Sequence, residues 1–152
     1  MTSVNSDTEA VEAVHAAWFE SNVGLQIEKM LDQFPQGDAY LQFNLNGLTY
    51  RGAREKAKLW TGIKRTGGDI TSIQETSTPS VHVEGDVAWI AGEGIARIRL
   101  GAPSSSKAPS DVPFRFTEIY RRNDNAGNPK WTIWHMHCSP TAPAGTPDYG
   151  DQ

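Results

Sequence analysis

The chain has 152 residues, 38% hydrophobic and 21% charged, with a net charge of −4 at pH 7. This is the composition of one soluble globular domain with a sizeable core rather than of a disordered segment. The acidic balance and scattered Arg and Lys exclude a nucleic-acid footprint, and no apolar run approaches the roughly 20 residues of a membrane span. A single cysteine, and an N-terminus without the basic start and apolar core of a signal peptide, lead us to expect a cytoplasmic protein.

Ser6 and Glu9 read as a capping box, and Val11, Val14 and Trp18 recur at helical spacing. A helix is expected over 8–21, with His15 at the boundary of its apolar stripe. After the break at 21–24, Leu25, Ile27, Met30, Leu31 and Phe34 outline a second helix, stopped by Pro35 and Gly37. From Asp38 to Asn46 the chain alternates, setting Tyr40, Gln42 and Asn44 against Leu41, Phe43 and Leu45. The polar row faces either solvent or a ligand pocket. Asn46 and Gly47 turn the chain into a short return strand, Leu48 to Tyr50. Arg54 to Ile63 is a third helix with Ala53, Ala57, Trp60 and Ile63 as its stripe. Its charges, Arg54, Glu55, Lys56 and Lys58, read as a solvated face, with Glu55 and Lys58 at ion-pair spacing.

The second half reads as strands. Ile70 to Glu84 is interrupted at Pro79, Gly85-Asp86 is a hairpin turn, and Val87 to Leu100 is a long strand with glycines at 92 and 94. Ala102 to Asp111 is a Ser- and Pro-rich hairpin loop. Val112 to Arg122 places Phe114, Phe116, Glu118 and Tyr120 on one face. Trp131 to Pro140 is the fourth long strand; strict alternation puts Trp131, Ile133, His135 and His137 on one side and Thr132, Trp134, Met136 and Cys138 on the other. The tail after Ser139 is irregular. The architecture is α+β: N-terminal helices against a curved antiparallel sheet forming a cone around a cavity. One domain is expected over 1–152, with its core at about 8–142.

Gly85-Asp86, Ala88 to Ala91, Thr117 to Arg122 and Trp131 to Ser139, with the Gly47, Tyr50, Gly52 turn, resemble the nuclear transport factor 2-like superfamily. That superfamily includes ketosteroid isomerase, scytalone dehydratase and the SnoaL-like cyclases. The resemblance is nearest to the subgroup of the calmodulin-dependent protein kinase II association (hub) domain. It implies the cone fold, and it leaves the reaction open because one scaffold hosts enzymes, carriers and oligomerisation modules. The hub's cavity arginines align with Gly94 and Glu118 here, implying a less cationic cavity. The isomerase's Tyr and Asp residues find no counterpart by motif.

Glu118 among aromatic rings is a desolvated carboxylate suited to proton transfer, or else it pairs with Arg97 or Arg99. Glu93 is a second carboxylate on the neighbouring strand. His135 and His137 form an H-x-H pair with no third ligand at metal spacing, so they read as packed histidines or as acid–base groups, with no metal. Tyr40 and Tyr50 either donate to a developing oxyanion or fill the core. Trp60, Trp89, Trp134, Phe116 and Tyr120 suit the pocket to an aromatic ligand. Cys138 reads as a buried thiol. Without a dinucleotide fingerprint, P-loop or nucleophile elbow, no cofactor is expected. The expected protein is a homodimeric, cofactor-independent lyase or isomerase. It acts on a hydrophobic, aromatic small molecule through Glu118, His137, His135 and Tyr40; the alternative is a non-catalytic binding or oligomerisation module.

Overall fold

The computed structural model describes residues 4–101 and 108–149. Its helices are α1 (Val4–Asn22), α2 (Ile27–Leu31) and α3 (Ala53–Arg65). Its strands are β1 (Leu41–Phe43), β2 (Thr49–Arg51), β3 (Asp69–Glu75), β4 (Ser80–Glu84), β5 (Val87–Arg99), β6 (Ser110–Arg122) and β7 (Trp131–Pro140). They form one sheet in the order β2-β1-β7-β6-β5-β3, with β4 also on β5. Pairing is antiparallel except between β1 and β7, so the sheet is mixed. The interruption at Pro79 splits one edge in two: β3 pairs with the second half of β5 and β4 with the first half.

Helix α1 begins before the expected cap, and its buried stripe is rotated. Asp7, Val11, His15, Trp18 and Asn22, spaced four, four, three and four apart, are all buried, whereas Val14 is only partly so. His15 is thus the centre of the buried face, not its boundary. Asp7 anchors the helix by accepting from Arg122 Nη2 at 2.7 Å and from Trp131 Nε1 at 3.4 Å. Trp18 stacks on Trp60 of α3 and meets Phe34 edge-on, joining α1 to α3 and to the turn that follows α2.

The stripe of α3 differs in one residue that matters. Ala53, Lys56 and Trp60 are buried, so Lys56 leaves the solvated face to which its charge assigned it. Glu55 accepts from the Arg51 backbone N–H rather than pairing with Lys58. The entry to α3 requires Gly52: φ is +82°, its N–H bonds Tyr40 O at 2.7 Å, and a Cβ would lie 3.0 Å from the Asp38 side chain.

On β6 the alternation holds, with Phe114, Phe116, Glu118 and Tyr120 buried. On β7 it breaks. Ile119 pairs with His135 and Tyr120 with Ile133, leaving Trp134 as the extra residue of a bulge. The phase shifts there, so Trp131, Ile133 and Met136 are buried while His137 is exposed. Strict alternation, which grouped Trp131 with the histidines, fails at this bulge. The sequence-predicted loop at Ala102 to Asp111 lies partly outside the described residues, at 102–107; β6 already begins at Ser110.

Candidate active site

The cone encloses a cavity of about 400 Å³, lined by α1, β1, α3, β3, β5, β6 and β7. Its walls are mainly apolar, among them Phe19, Trp60, Ile73, Phe114, Phe116 and Met136. Two polar groups of residues interrupt that surface.

The first centres on Glu118, which is 0% exposed. Its Oε2 accepts from His15 Nδ1 at 2.7 Å and from the Tyr120 hydroxyl. The other face of the imidazole, Nε2, is bound to Glu75 Oε1. Burial opposes a charge on His15, but hydrogen bonding and charge from Glu118, then Glu75, outweigh it and raise the group to about 9. At neutral pH His15 is therefore an imidazolium clamped between two carboxylates, with its ring packed on Phe19 and Phe116. Burial first, then the Glu118 charge, holds the Tyr120 phenol well above its ordinary range, so it stays a donor. Glu118 Oε1 has no hydrogen-bond partner among the described residues. That oxygen is buried and unsatisfied, on a residue that lines an apolar cavity.

The second group is a chain of hydrogen bonds that starts on β1, where Gln42 lies in the same cross-strand row as Met136 and Glu118. Tyr40 donates to Gln42 Oε1 at 2.7 Å, and Gln42 Nε2 donates to Asn44 Oδ1 at 2.6 Å. Lys56 Nζ also donates to Asn44 Oδ1, at 3.0 Å. Strand β1 thus turns its polar row inward and its apolar row out: Gln42 is 1% exposed and Phe43 41%. Burial lowers Lys56 to about 8, opposed by the nearby Cys138. Burial also raises the Cys138 thiol to about 12, with Lys56 opposing and Glu118 adding to the shift.

Of the residues expected to form the site, Glu118, Trp60 and Phe116 line the cavity, and Tyr120, two residues along the same strand face, donates to Glu118. Tyr40 is buried with its hydroxyl committed to Gln42. The others lie outside the cavity. Residues directly opposite across the sheet share a face, and the row Leu41, His135, Ile119, Trp89 is on the outer side. His135 Nδ1 bonds Leu41 O, and Trp89 stacks on His82. His137 and Glu93 line an outer groove with Arg115, Thr117 and Ser139. Trp134, at the bulge, donates to Asn123 O and lies under Arg121. Arg97 pairs with Asp111 rather than Glu118, whose partner is His15. No group of three metal-ligating residues occurs among the described residues.

His15, Glu75 and Lys56 are the site residues that sequence reasoning passed over. Spacing held a signal for two of them. His15 lies four after Val11 and three before Trp18; Lys56 lies three after Ala53 and four before Trp60.

Helices packed into a curved sheet around a carboxylate-bearing cavity define a nuclear transport factor 2-like α+β cone. The family model for the SnoaL-like domain matches residues 11–143, and the chain belongs to that family. No curated protein matches the sequence. In fold the chain is similar to a nuclear transport factor 2-like superfamily protein from Salmonella enterica serovar Typhimurium, with TM-score 0.75, 15% identity, and 96% of this chain and 99% of that chain covered. It is also similar to a protein from Streptomyces avermitilis proposed to be a dehydratase, with TM-score 0.72, 17% identity, and coverage of 91% and 99%. A third is a domain from Thiobacillus denitrificans proposed to be a calcium/calmodulin-dependent protein kinase type II association domain, with TM-score 0.62, 16% identity, and coverage of 86% and 94%.

Proposed function

We propose that this protein is a cofactor-independent lyase or isomerase that moves a proton on a hydrophobic, aromatic small molecule, with Glu118 as the base. One observation carries the reading: a fully buried carboxylate on the cavity wall has one oxygen fixed by His15 and Tyr120 and the other without a partner. The imidazolium and phenol hold the carboxylate in place, and Oε1 takes the proton from a carbon or hydroxyl of the substrate. The apolar walls exclude water and set the preference for a ring-bearing ligand, with Trp60 and Phe116 as contact surfaces. Asn44, whose oxygen is occupied by Gln42 and Lys56, has its amide N–H groups to offer a substrate oxygen. An open cavity of about 400 Å³ favours this reading over a non-catalytic module with a filled cone.

The test is proton exchange into deuterium oxide, followed by NMR across a panel of aromatic ketones and alcohols. Glu118→Gln should cut the rate by ~10²-fold or more, the usual contribution of a general base. His137→Ala, on the outer face, should leave it close to wild type. Full activity of Glu118→Gln on a confirmed substrate would overturn the assignment.

The outer face exposes Phe43 (41%), Trp89 (40%) and Ile119 (36%), and we take it as the surface on which two copies form a homodimer in the cytoplasm. Sedimentation at micromolar concentration should give a dimer, and Trp89→Lys should give monomers.

A further inference from the structure

A buried lysine with no counter-charge stands out against the other lysines among the described residues. Lys29 and Lys130 pair with Glu20 and Asp32 at the surface, and Lys58 and Lys64 are exposed. Lys56 is only 6% exposed, lines the cavity, and no carboxylate pairs with it among the described residues. Its one hydrogen-bond acceptor is a neutral amide oxygen, Asn44 Oδ1; the Cys138 thiol is nearby, and Nζ lies 5.8 Å from the Tyr50 ring centroid and 5.9 Å from that of Trp60. An unpaired ammonium in an apolar pocket is costly, so burial here raises the share of the neutral amine, which is a nucleophile.

We infer that Lys56 forms an imine with the carbonyl group of an aromatic aldehyde or ketone bound in the cavity. The Nζ lone pair attacks the carbonyl carbon, forming a C–N bond while the carbonyl oxygen takes a proton and becomes the hydroxyl of a carbinolamine. The C–O bond then breaks. The oxygen leaves as water with a second proton, and the nitrogen lone pair closes the C=N bond. Overall, amine plus carbonyl gives imine plus water, with no oxidant or reductant. Protonated, the imine draws electrons from the adjacent carbon, where Glu118 Oε1 takes the proton to give an enamine. Return of the proton at a different carbon and hydrolysis of the imine release the isomer and restore the amine. This last part rests on Glu118 being the base; imine formation does not.

The lysine fits the task on two further counts. Burial brings it to about 8, so roughly a tenth of it is the free amine at pH 7, against under a thousandth for an ordinary lysine. Its position on α3, three residues after Ala53 and four before Trp60, is fixed by packing.

The experiment treats the full chain with benzaldehyde and cyanoborohydride, which reduces an imine to a stable benzylamine, and maps the label by peptide mass. Lys56 should be labelled at least ten times faster than Lys58 or Lys64 at pH 7, at a rate that climbs with pH through about 8. Lys56→Arg should lose the label and Glu118→Gln should keep it. Wild-type mapping alone carries the test if Lys56→Arg fails to fold. Equal or greater labelling of the exposed lysines overturns the inference. So does tight benzoate binding by wild type and Lys56→Arg alike without labelling, which would make the residue an anion anchor. If labelling fails while wild type still exchanges substrate protons and Glu118→Gln does not, the imine falls and the base stands. If Lys56 is labelled and no substrate proton exchanges, the imine stands and the base falls.

Discussion

His15 is what makes Glu118 tenable as a carboxylate in the core. A carboxylate with no exposure loses its hydration, and only a charged partner at hydrogen-bond distance offsets that loss. The imidazolium at 2.7 Å supplies both charge and donor, whereas the Tyr120 hydroxyl supplies a donor alone. Two substitutions separate the contributions. His15→Gln keeps a donor and removes the charge, so it should destabilise the fold by about 3 kcal/mol. Tyr120→Phe keeps the ring and should cost about 1 kcal/mol. Urea unfolding at pH 7 reads both; equal losses would mean that the charge on His15 contributes nothing. This pair was half legible in the sequence. Glu118 could be grouped with Phe114, Phe116 and Tyr120 because β6 alternates without a fault, and its alignment with a cavity arginine of the hub domain turned that row inward. Its partner lies 103 residues away on another element, and no local pattern reports such a pairing.

At the scale of elements, the cavity depends on strands that leave room for rings. Gly92 and Gly94 of β5 sit directly opposite Phe116 and Phe114 of β6. A Cβ at 92 would lie 2.9 Å from the Phe116 ring, and one at 94 would lie 2.7 Å from the Gln74 carbonyl and 2.9 Å from the Phe114 ring. A ring can tilt toward open cavity space, whereas a backbone carbonyl moves only with its strand. Gly94→Ala should therefore cost about 2–3 kcal/mol and Gly92→Ala about 1 kcal/mol. Gly92→Ala should also weaken ligand binding, because the displaced Phe116 ring takes up cavity volume. Thermal melts and a titration with any cavity ligand check this; Gly92→Ala proving the costlier of the two would contradict it. The two glycines were visible in sequence as interior breaks in a long strand, although what approached them was not. The β7 bulge was invisible, since Trp134 fits a strand as well as its neighbours do. That one extra residue sent His135 and His137 to the outer face. Strand β1 reads correctly as alternating, but its polar row turns inward against the usual sense, and only the cavity explains why.

For the whole molecule, enclosing several titratable groups around one cavity makes stability a function of pH with separable windows. His15 is raised from 6.5 to about 9, so the stability it contributes is complete below 6.5 and is lost as pH rises through about 9. Lys56 runs the other way. It is lowered from 10.5 to about 8, so the folded state is penalised below 8 and recovers between 8 and 10.5. Cys138, raised from 9.0 to about 12, loses stability again above 9, because only the unfolded thiol ionises there. Between 6.5 and 8 His15 alone changes, and the fold should weaken by about 2 kcal/mol. From 8 to 9 the His15 loss and the Lys56 gain cancel; from 9 to 10 Lys56 and Cys138 cancel. The wild-type urea midpoint should fall to pH 8 and then level off. Lys56→Met should remove the levelling, so that the fall continues past 8. His15→Gln should flatten the fall, and its midpoint should rise between 8 and 9. A Lys56→Met profile that still levels off at pH 8 would show that this amine is not titrating inside the folded protein. The imine chemistry would then lose the neutral nucleophile it requires.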